Sequence, residues 1–241
     1  MTQAEKILFY KKKLPKFIWR LLRRQLWNNF WIAEEEQQRQ LHQGVLPGPI
    51  RDTERAKLIE AILEQYPFRS LLEIGASYGT NFHTLGKLLP EVEFLGIDQD
   101  KMRIDAGNIQ LQAAGLKHCK LDRCSAQSLA RRFPENSYDL VISSACMLYI
   151  PPDDISLVLS NMLAIARQSV ILLEQHLPGL SQDQRCEEQG RWPYFLRDYL
   201  AYFKTLTTAG KTTVFKVPNP IWPNEKWKEY GSVIVVSKKK A

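Results

Sequence analysis

The sequence predicts an α/β fold, a doubly wound and mostly parallel sheet with an N-terminal helical extension. Three observations carry this. From residue 70 onward, short apolar runs alternate with segments of helical spacing, which is how a sheet covered on both faces by helices reads. A turn bearing Gly75 and Gly79 joins the first apolar run to the first of those helices. Before residue 50 the pattern differs, with basic and aromatic residues at helical spacing and no strand.

The chain has 241 residues, 44% apolar and 24% charged, which excludes wholesale disorder and a collagen-like fibre. Its net charge is +7, and residues 1–33 alone, with eight Lys/Arg against Glu5, hold that whole excess. Everything after residue 33 is therefore neutral, which argues against a nucleic-acid coat. Within this arm Leu14, Phe17, Ile18, Leu21, Leu22 and Leu26 share one helical face. Lys16, Arg20, Arg23 and Arg24 lie on the other, and Pro15 suits the first turn. The segment 45–50, Val-Leu-Pro-Gly-Pro-Ile, reads as a stiff linker. We divide the chain into an arm and linker, 1–50, and a domain, 51–241.

In the domain, Asp52 or Thr53 caps a helix that Pro67 stops. Strands are predicted at 71–75, 93–98, 118–121, 138–143, 169–175, 213–217 and 232–237. Helices are predicted at 79–89, 101–115, 126–132 and 153–166, with a further helical stretch at 191–207. Between the last two strands the proline-rich segment 218–223 offers no clear helix, so they are expected to pair as an antiparallel edge. The four cysteines form no CxxC pair and no zinc spacing with the histidines. They read as reduced thiols, hence the cytosol. No apolar run approaches the ~20 residues of a membrane span, and no secretory h-region appears.

The segment 71–81, Leu-Leu-Glu-Ile-Gly-Ala-Ser-Tyr-Gly-Thr-Asn, is strand, turn and helix start. A dinucleotide fingerprint fails at Ser77 and Thr80. Gly75-Ala-Ser-Tyr-Gly79 matches the G-x-S-x-G elbow of serine hydrolases, with Asp139 and His176 downstream. That fold, however, places its nucleophile after several earlier strands and an oxyanion loop. The third reading is a resemblance. Glu73, Gly75 and Gly79, with Ser77 at the middle glycine, resemble the first motif E/D-x-G-x-G-x-G of class I (Rossmann-like) S-adenosylmethionine-dependent methyltransferases. Phe94-Leu-Gly-Ile-Asp98 ends the second strand in an acid, and Cys124-Ser-Ala-Gln-Ser-Leu129 sits where the family has Asp-Ala-x-Leu. Residues 136–151 resemble the family's S-F-D-L-V strand with its following V/I-P turn.

The resemblance covers 70–175 and implies a seven-stranded sheet of order 3-2-1-4-5-7-6, the last strand antiparallel. It implies S-adenosylmethionine as cofactor, held by Glu73, Gly75, Ala76, Ser77, Gly79, Asp98, Gln99, Ser125, Ala126 and Ser143. The physics agrees. Glycine admits close backbone approach, and a carboxylate at a strand tip accepts both ribose hydroxyls. Gln99 would lie beside the adenine. The family's frequent histidine pair is replaced by Leu148 and Tyr149. Tyr149 remains a pocket residue, and His176, after the fifth strand, is the candidate base. Transfer by proximity alone, or a non-catalytic accessory role, are the rival readings. No acid follows the fourth strand as catechol chemistry needs, so no metal is expected. No [DNS]-P-P-[FYW] loop follows it either, so base methylation is not expected.

The aromatic segment 190–203, with Arg191 and Arg197, is a candidate lid over the acceptor or an amphipathic helix packed on the sheet. In the arm, Trp19, Trp27 and Trp31 with the basic face give residues 6–32 interfacial character. This predicts docking on an anionic membrane surface and a small-molecule, lipid or glycan acceptor methylated at oxygen. The rival is packing of the arm on its own domain or on a second copy in a homo-oligomer.

Overall fold

A computed structural model describes residues 56–65, 67–187, 193–206, 209–217 and 225–239. The arm, its tryptophans, the linker and the boundary at 50/51 lie outside the described residues, as does Arg191. The strands are β1 Ser70–Ile74, β2 Glu93–Asp98, β3 Cys119–Arg123, β4 Tyr138–Ser144, β5 Ala166–Gln175, β6 Gln184–Cys186, β7 Tyr194–Leu196, β8 Ala209–Lys216 and β9 Gly231–Lys238. The helices are α1 Ala56–Leu63, α2 Thr80–Leu88, α3 Lys101–Ala113, α4 Leu129–Arg132, α5 Pro152–Ile165, α6 Tyr199–Thr205 and α7 Glu225–Tyr230.

Seven strands form one sheet in the order β3-β2-β1-β4-β5-β9-β8. Strands β1 to β5 pair in parallel, while β9 runs antiparallel to both β5 and β8. Counting only these strands along the chain, the order is 3-2-1-4-5-7-6, as the resemblance implies. Side-chain alternation sorts the core into two layers. Leu71, Leu140, Ile142, Ile171 and Leu173 pack with Leu58, Phe82 and Leu111 on one face. Leu72, Val141, Val170 and Leu172 pack with Val158, Leu163 and Phe203 on the other.

Two expectations are corrected. The helix predicted at 191–207 begins only at Tyr199, where Asp198 caps it by accepting from the Ala201 amide. Residues Tyr194, Phe195 and Leu196 are all buried and form β7, paired with β6 in a separate hairpin; a run buried on every side chain suits a strand better than an amphipathic helix. Between β8 and β9 the structure adds α7, whose Trp227 is buried. Elsewhere, Pro151 takes the cap position of α5, and Asp153 and Asp154 lie in its first turn, where negative charge suits the helix dipole.

Candidate active site

The turn after β1 is built from unusual backbone. Gly75, Ser77 and Gly79 all have positive φ, of 77°, 52° and 70°. The amides of Gly75 and Ala76 both donate to the Ile97 carbonyl, tying the turn to β2. Gly79 then leads into α2. The room at Gly75 is taken by this chain itself, because an added Cβ would fall 2.4 Å from the Cβ and Sγ of Cys146. The absent side chain thus makes space for the loop after β4.

Asp98 sits at the tip of β2, partly exposed. Its Oδ2 accepts from the Ser77 amide at 3.0 Å and its Oδ1 from the Asp100 amide at 3.0 Å. The helix cap is Asp100, which accepts from the Met102 and Arg103 amides. Asp98 is therefore held in place while each oxygen retains acceptor capacity. Burial raises its pKa, opposed by the two amides. Gln99 is partly exposed beside it, its carbonyl accepting from Arg123 Nε. The Cys124 amide donates to the Asp98 carbonyl, bringing the β3 turn alongside. There Ser125 Oγ lies 2.9 Å from Ser128 Oγ, and Ala126 is buried. Glu73 is buried on β1 and accepts from Asn81 Nδ2 at 2.5 Å.

Glu174, at the end of β5, escaped the sequence reading. It is fully buried, and its Oε1 accepts from the Cys146 and Met147 amides at 2.9 and 2.8 Å and from Ser143 Oγ at 3.2 Å. Oε2 accepts from the Leu148 amide at 3.2 Å. The loop after β4, turned by Ala145 at φ 53°, thus wraps one carboxylate. Burial pushes the Glu174 pKa up to about 7 despite these donors. The signal in the sequence was an acid closing an otherwise apolar strand. Ser143 is thus a partner of Glu174, with no exposed surface.

His176 is also corrected. It is 1% exposed and packs against Tyr199, with Nδ1 3.3 Å from both the Arg197 carbonyl and the Tyr199 amide. Burial lowers its pKa. A general base must reach the proton it removes, and this imidazole is sealed between β5 and α6. The hydrolase elbow fails for the same reason. Asp139, its other partner, lies at the start of β4 and accepts from the Arg69 and Ser70 amides and from Arg167, at the opposite end of the strand from the turn. Tyr149 is partly buried against the β1–β4–β5 face, its amide bonded to the Cys146 carbonyl.

Arg197 does not face an acceptor. It is fully buried, with Nε 2.6 Å from Asp183 Oδ2, Nη1 2.6 Å from the Met147 carbonyl and Nη2 on the Ile150 carbonyl. Tyr202 donates to the other Asp183 oxygen. This ion pair fastens Asp183 and Arg197 to the turn after β4.

Turns from β1, β2, β3 and β4 thus meet at the carboxyl edge of the sheet, where open α/β sheets bind ligands. Acidic side chains gather there. Burial most of all, then Asp98, Glu174 and Glu73, push the Cys146 thiol well up, so three acids act on one point. A cationic, ribose-bearing ligand fits such a site, with Asp98 for its hydroxyls and the acids for its positive charge. Among the described residues no group of three or more His, Cys, Asp or Glu is arranged to hold a metal. No helix among them is long and apolar enough to cross a membrane.

Comparison with known proteins agrees with this geometry. Residues 72–172 match the family described as Methyltransferase domain. The uncharacterized protein RP789 of Rickettsia prowazekii (strain Madrid E) is 30% identical over 81 residues, 34% of this chain and 14% of that protein. The chain therefore spans about one seventh of that relative's length. The PH0226 protein from Pyrococcus horikoshii OT3 is 15% identical with a TM-score of 0.60, the match covering 81% of this chain and 97% of that one. Magnesium protoporphyrin IX methyltransferase from Synechocystis PCC 6803, solved with bound S-adenosylmethionine, is 11% identical with a TM-score of 0.54, covering 78% and 79%. The sheet and the structural matches define a Rossmann-like α/β fold. Residues 72–172 are thus similar to the methyltransferase domain family, and the sheet has the fold of the methyltransferase structures it resembles.

Proposed function

We propose that the protein transfers a methyl group from S-adenosylmethionine to a hydroxyl of a small-molecule, lipid or glycan acceptor. The observation that carries this is Asp98, fixed by the Ser77 and Asp100 amides at the tip of β2 with acceptor capacity on both oxygens. When bound, the cofactor supplies an electrophilic methyl on a sulfonium. The chain's residues do the rest. Asp98 receives the ribose hydroxyls, Gln99 flanks the adenine, and Ser125 and Ala126 close the far side. The Gly75–Gly79 turn lies along the amino-acid portion, and Glu73 supplies negative potential toward its charge, joined by Glu174 as that group ionises through about pH 7. With His176 sealed, the acceptor oxygen reacts by being held in line, which alone supplies a large rate factor, and its proton leaves to solvent.

Calorimetry with S-adenosylhomocysteine tests the reading. Wild type is expected to bind. Asp98→Ala is expected to weaken binding at least about 30-fold, since hydrogen bonds to a charged group contribute roughly 1.5–3 kcal/mol each. No binding by the wild-type protein would sink the proposal and favour a non-catalytic accessory role. We further propose that the basic arm places the enzyme at an anionic membrane face in the cytoplasm. The support is the amphipathic pattern of residues 6–32.

A further inference from the structure

We propose that Gln175, together with Ser144, forms the acceptor-recognition site, which takes a neutral ligand with an apolar or aromatic body and an O–H or N–H donor. The proposal deepens the methyl-transfer reading and rests on it.

The argument begins with alternation. Leu71 on β1, Ile142 on β4 and Leu173 on β5 belong to one core layer, and residues two apart on a strand share a face. The next positions outward on that face are Glu73, Ser144 and Gln175, at the carboxyl ends of three adjacent strands. Ser144 is 8% and Gln175 2% exposed, yet Ser144 Oγ and Gln175 Oε1 find no hydrogen-bond partner among the described residues.

Other buried hydroxyls of this sheet are satisfied. Ser143 donates to Glu174, Ser169 to Gln65 and Ser232 to the Tyr230 carbonyl. A buried polar atom left unmatched costs stability, and natural chains rarely retain one without a use. Two such atoms on one face, beside the β1 turn that the cofactor reading occupies, mark where a ligand completes the set.

The chemistry of the ligand follows from the surroundings. A carboxamide oxygen accepts, so the ligand must donate. Ala145, Tyr149, Leu177 and Tyr230 are partly buried against the same layer and give the site an apolar wall. The carboxylate of Glu73 on the same face opposes an anionic acceptor. Because both atoms are sealed in this structure, entry of the acceptor requires that wall to part.

The test titrates phenol and anisole, in which a methyl group replaces the donor hydrogen, into protein saturated with S-adenosylhomocysteine, followed by ligand-observed NMR. Wild type should bind phenol about five- to tenfold tighter than anisole, the range of one buried hydrogen bond. Gln175→Leu should bind the two equally, and Ser144→Ala should narrow the difference. Thermal unfolding controls for folding, and Gln175→Leu should not lose stability because it removes an unmatched buried atom. A phenol preference absent from wild type, or intact in Gln175→Leu, overturns the site while leaving the methyl-transfer reading in place. Failure of wild type to bind S-adenosylhomocysteine overturns both.

Discussion

Glu174 carries a charge where burial disfavours it, and the chain answers with three amides and a hydroxyl. Its folded pKa of about 7 stands above the ordinary 4.5. Between those values the folded chain binds more protons than the unfolded one. The stability this group contributes is therefore full below pH 4.5 and is lost as pH rises through about 7. We expect the unfolding free energy of wild type minus that of Glu174→Gln to fall by about 3 kcal/mol over this window. The difference should be flat at higher pH. Urea titrations of both proteins from pH 4.5 upward would show it; a difference that rises with pH contradicts the assignment. Neither Glu174 nor the sealing of His176 was legible in the sequence. An acid and a histidine two positions apart at the end of a strand look alike on paper. Only the paths of the β4 loop and of α6 decide which one is wrapped and which one is packed.

The elements most visible in the sequence were those whose period is set by burial on both faces. Strands β1, β2, β4 and β5 are nearly continuous apolar runs, and the helices between them follow from spacing alone. The turn with Glu73, Gly75 and Gly79 was legible because positive φ and close packing leave glycine little competition. The β6–β7 hairpin was not, because its aromatic run satisfies helical and strand patterns equally. What holds that hairpin segment in place is a long-range contact, the buried Arg197 guanidinium between Asp183 and two carbonyls of the turn after β4. Arg197→Ala should cost about 3–5 kcal/mol, because it leaves a buried carboxylate and its companions unmatched. Arg197→Met combined with Asp183→Asn should recover part of that loss. Denaturant unfolding of the three proteins reads this directly, and a loss below about 1 kcal/mol in Arg197→Ala would show that the pair does not fasten the segment.

At the scale of the whole molecule the charge is divided. The first 33 residues hold the net +7 and the remainder is neutral. Basic residues near an anionic bilayer contribute roughly 1 kcal/mol each, screened by salt. The full chain is therefore expected to float with anionic liposomes at low salt and to be released at high salt. A chain starting at Glu34 should stay in solution, and equal behaviour of the two would end the membrane reading. The sheet carries a different consequence, one for synthesis. Strand β9 follows the other six strands of this sheet in the sequence, yet it lies between β5 and β8. Until residues 231–238 leave the ribosome, β5 is an open edge and β8 has no place beside it. An emerging chain therefore holds the parallel half of the sheet, β1 to β5, with an unpaired strand flank that other chains can join. Of the seven strands of this sheet, the one made last is the one that joins β5 to β8.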